Sequence, residues 1–331
     1  MKTPLAFGVI GAGYFGKHYV RLLQDMPGAV LRAVADRSGR AVGESGVLLS
    51  LNVRRYTDAH DVLSDSSIDC VVIATPASTH HALALAALSA GKHALVEKPM
   101  AMNMEEAEDI RKAAEKSKTI FMVGHQYLYH DYVRVLKQKM DEGLLGAVRY
   151  VHAEHFSFGP IRPGIGCFWE MAVHECAIID FLFSPGAVRD ATGRSVDFLQ
   201  SGREDFASAQ ITFENGLTAA ITVSWFAPEK IRRITIAGDR GMAVFDDRRE
   251  EKLKFFLRPY PIPDGEDTSS AFMAFSASEI MTPAVAAREP LRNQLDHFIS
   301  CVRTGTEPAS GISHGMRVMR LLDATRRVLI S

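Results

Sequence analysis

Two short segments hold the residue types that move protons. Glu97-Lys98-Pro99 follows an apolar run, His93 to Val96, that reads as a strand. Pro99 restricts Lys98 to extended backbone. A lysine fixed at a strand end can hydrogen-bond a hydroxyl or stabilise an alkoxide; alone, the tripeptide favours a surface ion pair in a loop. The second segment is Phe168-Trp169-Glu170-Met171-Ala172-Val173-His174-Glu175, running into the apolar Ala177, Ile178, Phe181 and Leu182. On one helix Glu170 and His174 are four apart and share a face. There His174 can move a proton near neutral pH, oriented by a carboxylate. Three other readings stand beside this one: His174 as a satisfied core histidine, Glu170 with His174 as metal ligands lacking an evident third, and Glu175 as a solvated helix residue.

Such residues need elements to hold them. Leu5–Ile10 reads as a buried strand, followed by Gly11-x-Gly13-x-x-Gly16 and a helical pattern through Tyr19, Val20, Leu22 and Leu23. Gly11 allows a tight turn, Gly13 close approach of backbone to a pyrophosphate, and Gly16 close packing of helix on strand. The helix N-terminus offers free N–H groups to phosphates. Val30–Ala35 reads as a second strand with Asp36 at its end, 20 residues after Gly16. A carboxylate there accepts both ribose hydroxyls of an adenosine and repels a 2′-phosphate, which favours NAD. Arg37 and Ser38 are types that can hold that phosphate, so NADP stays open.

Strand and helix then alternate: Asn52–Tyr56, Cys70–Ala74, a helix from a Ser78 cap to Ala90, His93–Val96, a helix from an Asn103 cap to Lys116, and Ile120–Val123. This alternation implies βαβ units and a parallel sheet with ligands at the carboxyl ends of strands. Thr75, Pro76, Glu97, Lys98, His125 and Gln126 stand at those ends, and His80 lies just into a helix. Tyr127 follows His125.

After about residue 125 the pattern changes. Asp131–Glu142 reads as a helix, and polar-apolar alternation begins at Ala147. Asn215-Gly216 joins Phe206–Glu214 to Leu217–Trp225 as a hairpin. Ile231–Ala237 and Met242–Phe245 form a second hairpin, and Lys252–Leu257 adds a strand, giving an antiparallel sheet. His152 and His155, three apart, fall on opposite faces of their strand, which argues against a joint metal site. Phe156 and Phe158 read as core. Arg162, between two prolines, is placed to meet an anionic group. Pro259–Glu289 reads as a mobile or partner-covered loop, and Leu291–Arg303 and Ser313–Leu329 as helices.

The 331 residues suffice for two domains, expected at 1–124 and 125–331, with the C-terminal helix Ser313–Leu329 able to pack back on the first. A formal net charge of −1 offers no footprint for nucleic acid or an anionic membrane. No run is long and apolar enough to span a bilayer. Cys70, Cys167, Cys176 and Cys301 show no zinc spacing and read as reduced core thiols of a cytoplasmic protein.

With these residues laid out, the chain resembles the Gfo/Idh/MocA oxidoreductases over nearly its whole length. The resemblance is carried by Gly11-x-Gly13-x-x-Gly16, Asp36, Ala74-Thr-Pro76 with His80, Gly91-Lys-His with Glu97-Lys-Pro99, and Trp169 with His174. It implies an α/β fold: an N-terminal Rossmann domain with a doubly wound parallel sheet, then an α/β domain with an open, mainly antiparallel sheet that often serves oligomerisation as a homodimer or homotetramer. It also implies hydride transfer between NAD(P) and a secondary alcohol of a sugar or cyclitol. Gly124-His-x-x-Leu-Tyr129 and Glu289-Pro-Leu-Arg292 resemble the branch that oxidises the 3-hydroxyl of UDP-N-acetylhexosamines or their uronic acids. Here Glu170 stands where that branch has Asp, and Gln126 where Thr is common. The resemblance extends the cofactor contacts to Tyr14, Phe15 and Trp169. It implies Lys98, His174 and Glu170 as catalytic, no metal, and substrate contacts from Lys98, His125, Tyr127, Arg162, Glu170 and His174. Two alternatives remain: a free-sugar or inositol dehydrogenase, and a non-catalytic NAD-binding regulatory protein.

Overall fold

A computed structural model of the chain describes residues 3–38, 50–159, 161, 164–199, 201–257 and 279–329. Arg162 and most of the 259–289 stretch lie outside the described residues. The chain divides into two compact units, Met1–Tyr129 with Glu289–Arg320, and His130–Arg288 with Leu321–Ser331. Residues 289–320, which include the start of the C-terminal helix, cluster with the first unit.

The first unit is a six-stranded, all-parallel sheet built from β1 (Leu5–Ile10), β2 (Ala29–Ala35), β3 (Arg54–Tyr56), β4 (Cys70–Ile73), β5 (His93–Val96) and β6 (Phe121–Val123), in the order β3-β2-β1-β4-β5-β6. The central strands are near-continuous apolar runs, and Phe7, Val9, Val71, Val72, Leu95 and Val96 are buried, as a parallel sheet covered on both faces requires. Each such aliphatic side chain contributes about 1.5–3 kcal/mol on burial. Helix α1 (Gly16–Asp25) buries Tyr19, Val20, Leu22 and Leu23. A short α2 (Ala59–Leu63), capped by Asp58, was not expected from the sequence. Helix α3 (His80–Ser89) follows a 3-10 turn, Ala77–Thr79, with no side-chain cap. Ser78 therefore does not cap it; the neighbouring Thr79 hydroxyl instead donates to the Pro76 carbonyl and hydrogen-bonds the Thr75 hydroxyl, both at 2.7 Å. Helix α4 (Met104–Lys116) starts as expected: Asn103 accepts from the Glu106 N–H at 2.9 Å, satisfying one of the helix's orphan donors, and Glu106 reaches back to accept from the Met102 N–H just ahead of the cap at 2.9 Å.

The second unit holds α5 (Asp131–Asp141), β7 (Val148–Phe158), α6 (Val173–Phe183), β8 (Val188–Val196), β9 (Phe206–Phe213), β10 (Thr218–Ser224), β11 (Phe226–Gly238), β12 (Gly241–Asp246), β13 (Leu253–Leu257) and β14 (Glu279–Met281). The sheet order is β14-β13-β12-β11-β7-β10-β9-β8. Both expected hairpins are present, and the sheet is mainly antiparallel, with one exception at its centre. β7 pairs parallel with β10 while pairing antiparallel with β11 on its other side. Alternation reports which face a residue takes and says nothing about the direction of the neighbouring strand. Edge strand β8 has few apolar residues and was not foreseen, and β14 falls in the stretch read as a loop. On β7, Val151, Ala153 and His155 face the core. Phe156 and Phe158 take the opposite face, so Phe158 is 71% exposed and its ring lies tilted 5.7 Å from that of Phe226 instead of entering the core.

Helix α7 (Pro290–Thr304) buries Leu291, Leu295, Phe298 and Cys301, with the Phe298 ring 6.1 Å from Phe7 on β1. That contact explains why this helix counts with the first unit. Helix α8 spans Ile312–Leu329. All four cysteines are buried and free, and burial raises their thiol pKa values. Among the described residues no helix is long and apolar enough to cross a membrane.

Candidate active site

In the first unit the candidate residues converge on the carboxyl ends of β1, β2, β4, β5 and β6. Gly11 has φ +89°, and a Cβ on Gly16 would sit 1.9 Å from the Gly11 carbonyl oxygen. Neither position tolerates a side chain. Gly13 differs: nothing lies within 4 Å of where its Cβ would be. Asp36 closes the loop from the next strand. Its Oδ2 accepts from the Ala12 N–H at 2.8 Å, and its Oδ1 accepts from the Ser38 N–H and hydroxyl. Partial burial works to raise the Asp36 pKa, but hydrogen bonds from the Ser38 hydroxyl and from Ala12 and Ser38 N–H groups prevail and lower it, keeping the carboxylate charged. A dinucleotide fits this cradle. The backbone is open at Gly13, no side chain caps the α1 N-terminus, and a charged carboxylate stands where a ribose needs an acceptor. Tyr14 is exposed, with Lys17 over its ring, and Phe15 packs edgewise on Tyr19. Arg37 is exposed beside Asp36.

Lys98 is held through its backbone. Its N–H donates to Glu97 Oε2 at 3.0 Å, while Oε1 of that buried carboxylate accepts from the Tyr19 hydroxyl at 2.6 Å. Gln294 on α7 donates in turn to the Tyr19 oxygen at 2.9 Å. Burial and the Glu97 charge push the Tyr19 pKa well up, so it remains a donor. His80 is 1% exposed, and its two ring nitrogens meet the carbonyls of Pro99 (2.8 Å) and Thr75 (2.9 Å). It ties together the loops after β4 and β5. Pro76 is exposed in the same loop.

His125 is buried at the end of β6, and its ring meets His314 of α8 edge-on at 5.2 Å. Burial, then the charges of His314 and Lys98, hold its pKa well below the ordinary histidine value, so it is neutral near pH 7. Its Nδ1 has no hydrogen-bond partner among the described residues. Gln126 and Tyr127 lie in the 3-10 turn Gln126–Tyr129, the first half-buried and the second buried.

In the second unit Phe168–Ala172 is a π-helical turn that leads into α6. Glu170 lies in that turn and His174 in the first turn of α6, both half-buried. Glu204 anchors the turn by accepting from the Phe168 N–H at 3.0 Å. Trp169 is buried, with the Arg326 guanidinium 5.5 Å from its ring centroid. Glu175 is not a solvated helix residue. It is 5% exposed, and His155 Nδ1 donates to its Oε1 at 3.0 Å. The His155 and His174 rings lie 5.8 Å apart, tilted by 35°.

His155, Arg232 and His314 were absent from the sequence candidates. The signal for His155 was its place on the apolar face of β7, because a buried imidazole requires partners; nothing comparable marked His314. The structure thus gathers Lys98, His125 and His314 in the first unit, and His174, Glu175 and His155 in the second. A cavity of about 690 Å³ lined by Thr192, Arg194, Gln210 and Arg327 contains none of the candidates; the chemistry lies with the paired polar groups, not with that volume.

A model of the oxidoreductase family with an NAD-binding Rossmann fold matches residues 5–125, and the Gfo/Idh/MocA C-terminal domain model matches residues 133–244. The chain belongs to the Gfo/Idh/MocA oxidoreductase family. Residues 5–125 are its NAD-binding Rossmann domain. A D-apiose dehydrogenase from Paraburkholderia graminis is 25% identical over 331 aligned residues, covering 96% of this chain and 85% of the relative. A UDP-N-acetylglucosamine 3-dehydrogenase from Acidithiobacillus ferrooxidans is 29% identical, covering 69% and 70%. A solved structure of the latter enzyme superposes with a TM-score of 0.84 at 24% identity, covering 99% of this chain and 98% of that one.

Proposed function

We propose that the protein oxidises a secondary hydroxyl of a nucleotide sugar, a UDP-N-acetylhexosamine or its uronic acid, or reduces the corresponding ketone. The observation that carries this reading is the fixed Lys98: a buried Glu97–Tyr19–Gln294 chain locks its backbone, and its imidazole neighbour His125 is neutral. The Gly11–Gly16 backbone and the α1 N-terminus hold the pyrophosphate of NAD, and Asp36 accepts its adenosine ribose hydroxyls. When bound, NAD supplies the hydride acceptor. Lys98 holds the substrate oxygen and offsets the charge that develops on it. His174 takes the hydroxyl proton, and in the reverse direction returns it. Glu170, from the turn before His174, contacts the same hydroxyl region. Identity to a nucleotide-sugar dehydrogenase supports the substrate class. The whole-chain match to D-apiose dehydrogenase favours a second reading, a free-sugar dehydrogenase.

Nicotinamide absorbance followed with UDP-sugars, free sugars and cyclitols, NAD and NADP in parallel, tests the reading. UDP-N-acetylhexosamines or their uronic acids are expected to drive NAD reduction, with NADP the poorer cofactor. Turnover of free sugars or cyclitols alone would overturn the nucleotide-sugar assignment.

A further inference from the structure

Buried His155 and Glu175, with the half-exposed Arg232, form a polar chain beside His174 that the mechanism above does not use. His155 is 4% exposed on central strand β7 and lies in register opposite Arg232 of β11. The Arg232 Nε–H donates to His155 Nε2 at 3.2 Å. A guanidinium has no acceptor, so Nε2 carries the lone pair and the His155 proton sits on Nδ1, which meets Glu175 Oε1 at 3.0 Å. The partners on both sides therefore fix this tautomer.

The far end of the chain is incompletely satisfied. Glu175 Oε2 is buried and has no hydrogen-bond partner among the described residues. A buried carboxylate so placed is costly to retain. A pair serving only to pin β7 to α6 would be cheaper as packed apolar groups. Glu175 directly follows His174 in the first turn of α6, and the His155 ring leans on the His174 ring at 5.8 Å.

We infer that Arg232, His155 and Glu175 are positioning residues: the chain clamps the first turn of α6 and sets the His174 ring in the orientation proton transfer needs. This rests on the reading of His174 as the proton acceptor. The three residues act through His174 and touch no reacting atom.

The test uses the full chain with Glu175→Gln, Glu175→Asp and His155→Gln, folding being checked by thermal midpoint and NAD titration. In Glu175→Gln and His155→Gln, kcat is expected to fall about 10- to 100-fold, with KM for the sugar and Kd for NAD within about threefold. Glu175→Asp, which keeps the charge, recovers part of the loss. Loss of kcat with no recovery in Glu175→Asp, or a change confined to KM, overturns the inference. A second arm needs no substrate. In 15N-histidine spectra the wild type shows His155 as the Nδ1–H tautomer, and the His174 ring resonances shift in both the Gln variants. Unmoved His174 resonances overturn the positioning role even where no sugar is turned over, so its failure is separable from failure of the proposed reaction.

Discussion

The strand ends of the Rossmann unit and the start of α6 both present a candidate proton-handling group, yet they hold it by opposite means. Lys98 is fixed through its backbone: its own neighbour Glu97 accepts its N–H, and Tyr19 and Gln294 complete the chain. Around His174 the ordering is by side chains, through a histidine and an arginine from two strands of the sheet beneath. The first arrangement fixes the backbone from which the half-buried Lys98 side chain extends. The second leaves an imidazole whose ring plane is set by its surroundings. A lysine that follows an oxygen's changing charge and a histidine that must meet one proton along one direction need these different supports.

The largest expected effects come from removing the two groups themselves. Lys98→Ala and His174→Ala should each lower kcat about 10²- to 10⁴-fold, with Kd for NAD, read by nicotinamide fluorescence, within about threefold. Near-normal turnover in His174→Ala would break the comparison by placing the chemistry in the first unit alone.

Next come the glycines. Gly16→Ala drives a Cβ into the Gly11 carbonyl and should cost roughly 3 kcal/mol or more of stability, seen in the thermal midpoint. Gly13→Ala enters open space; it should leave the midpoint unchanged and weaken NAD about tenfold, roughly 1.4 kcal/mol.

A pH effect follows from His125. Its folded-state pKa lies well below that of the unfolded chain, so below about pH 6.5 the unfolded state binds a proton that the folded state does not. Stability should then fall by up to about 1.4 kcal/mol for each pH unit below that value. Denaturant melts of wild type and His125→Asn between pH 7 and pH 5 check this; parallel slopes would remove His125 as the cause. The smallest effect is a control. Asn103→Ala deletes the α4 cap and should cost about 1 kcal/mol without moving kcat.

Much of the first region is legible in the amino-acid sequence. The glycine spacing, Asp36, the βα alternation and the Asn103 cap depend on contacts between near neighbours or on periodicity, and all are found where the pattern put them. Glu97 supporting Lys98 is also local. The second region is legible only in outline. The Asn215-Gly216 hairpin is plain, but nothing in the residue pattern marks the π turn at Phe168–Ala172. Glu175 reads as solvated because its partner lies 20 residues away on β7. His314 lies nearly 190 residues from the His125 ring it meets.

The sequence by itself therefore determined the dinucleotide cradle, the class of each sheet and the identity of Lys98 and His174 as candidates. Tertiary structure decided which polar groups stand beside those two, that β7 runs parallel to β10, and that residues 289–320 join the first unit. The division has one physical cause. Turns, caps and periodic faces are set by short-range backbone geometry that residue types report directly. Partners across a sheet or between helix and strand are chosen by packing and by the requirement that buried polar groups be satisfied, which operate only once the chain has folded.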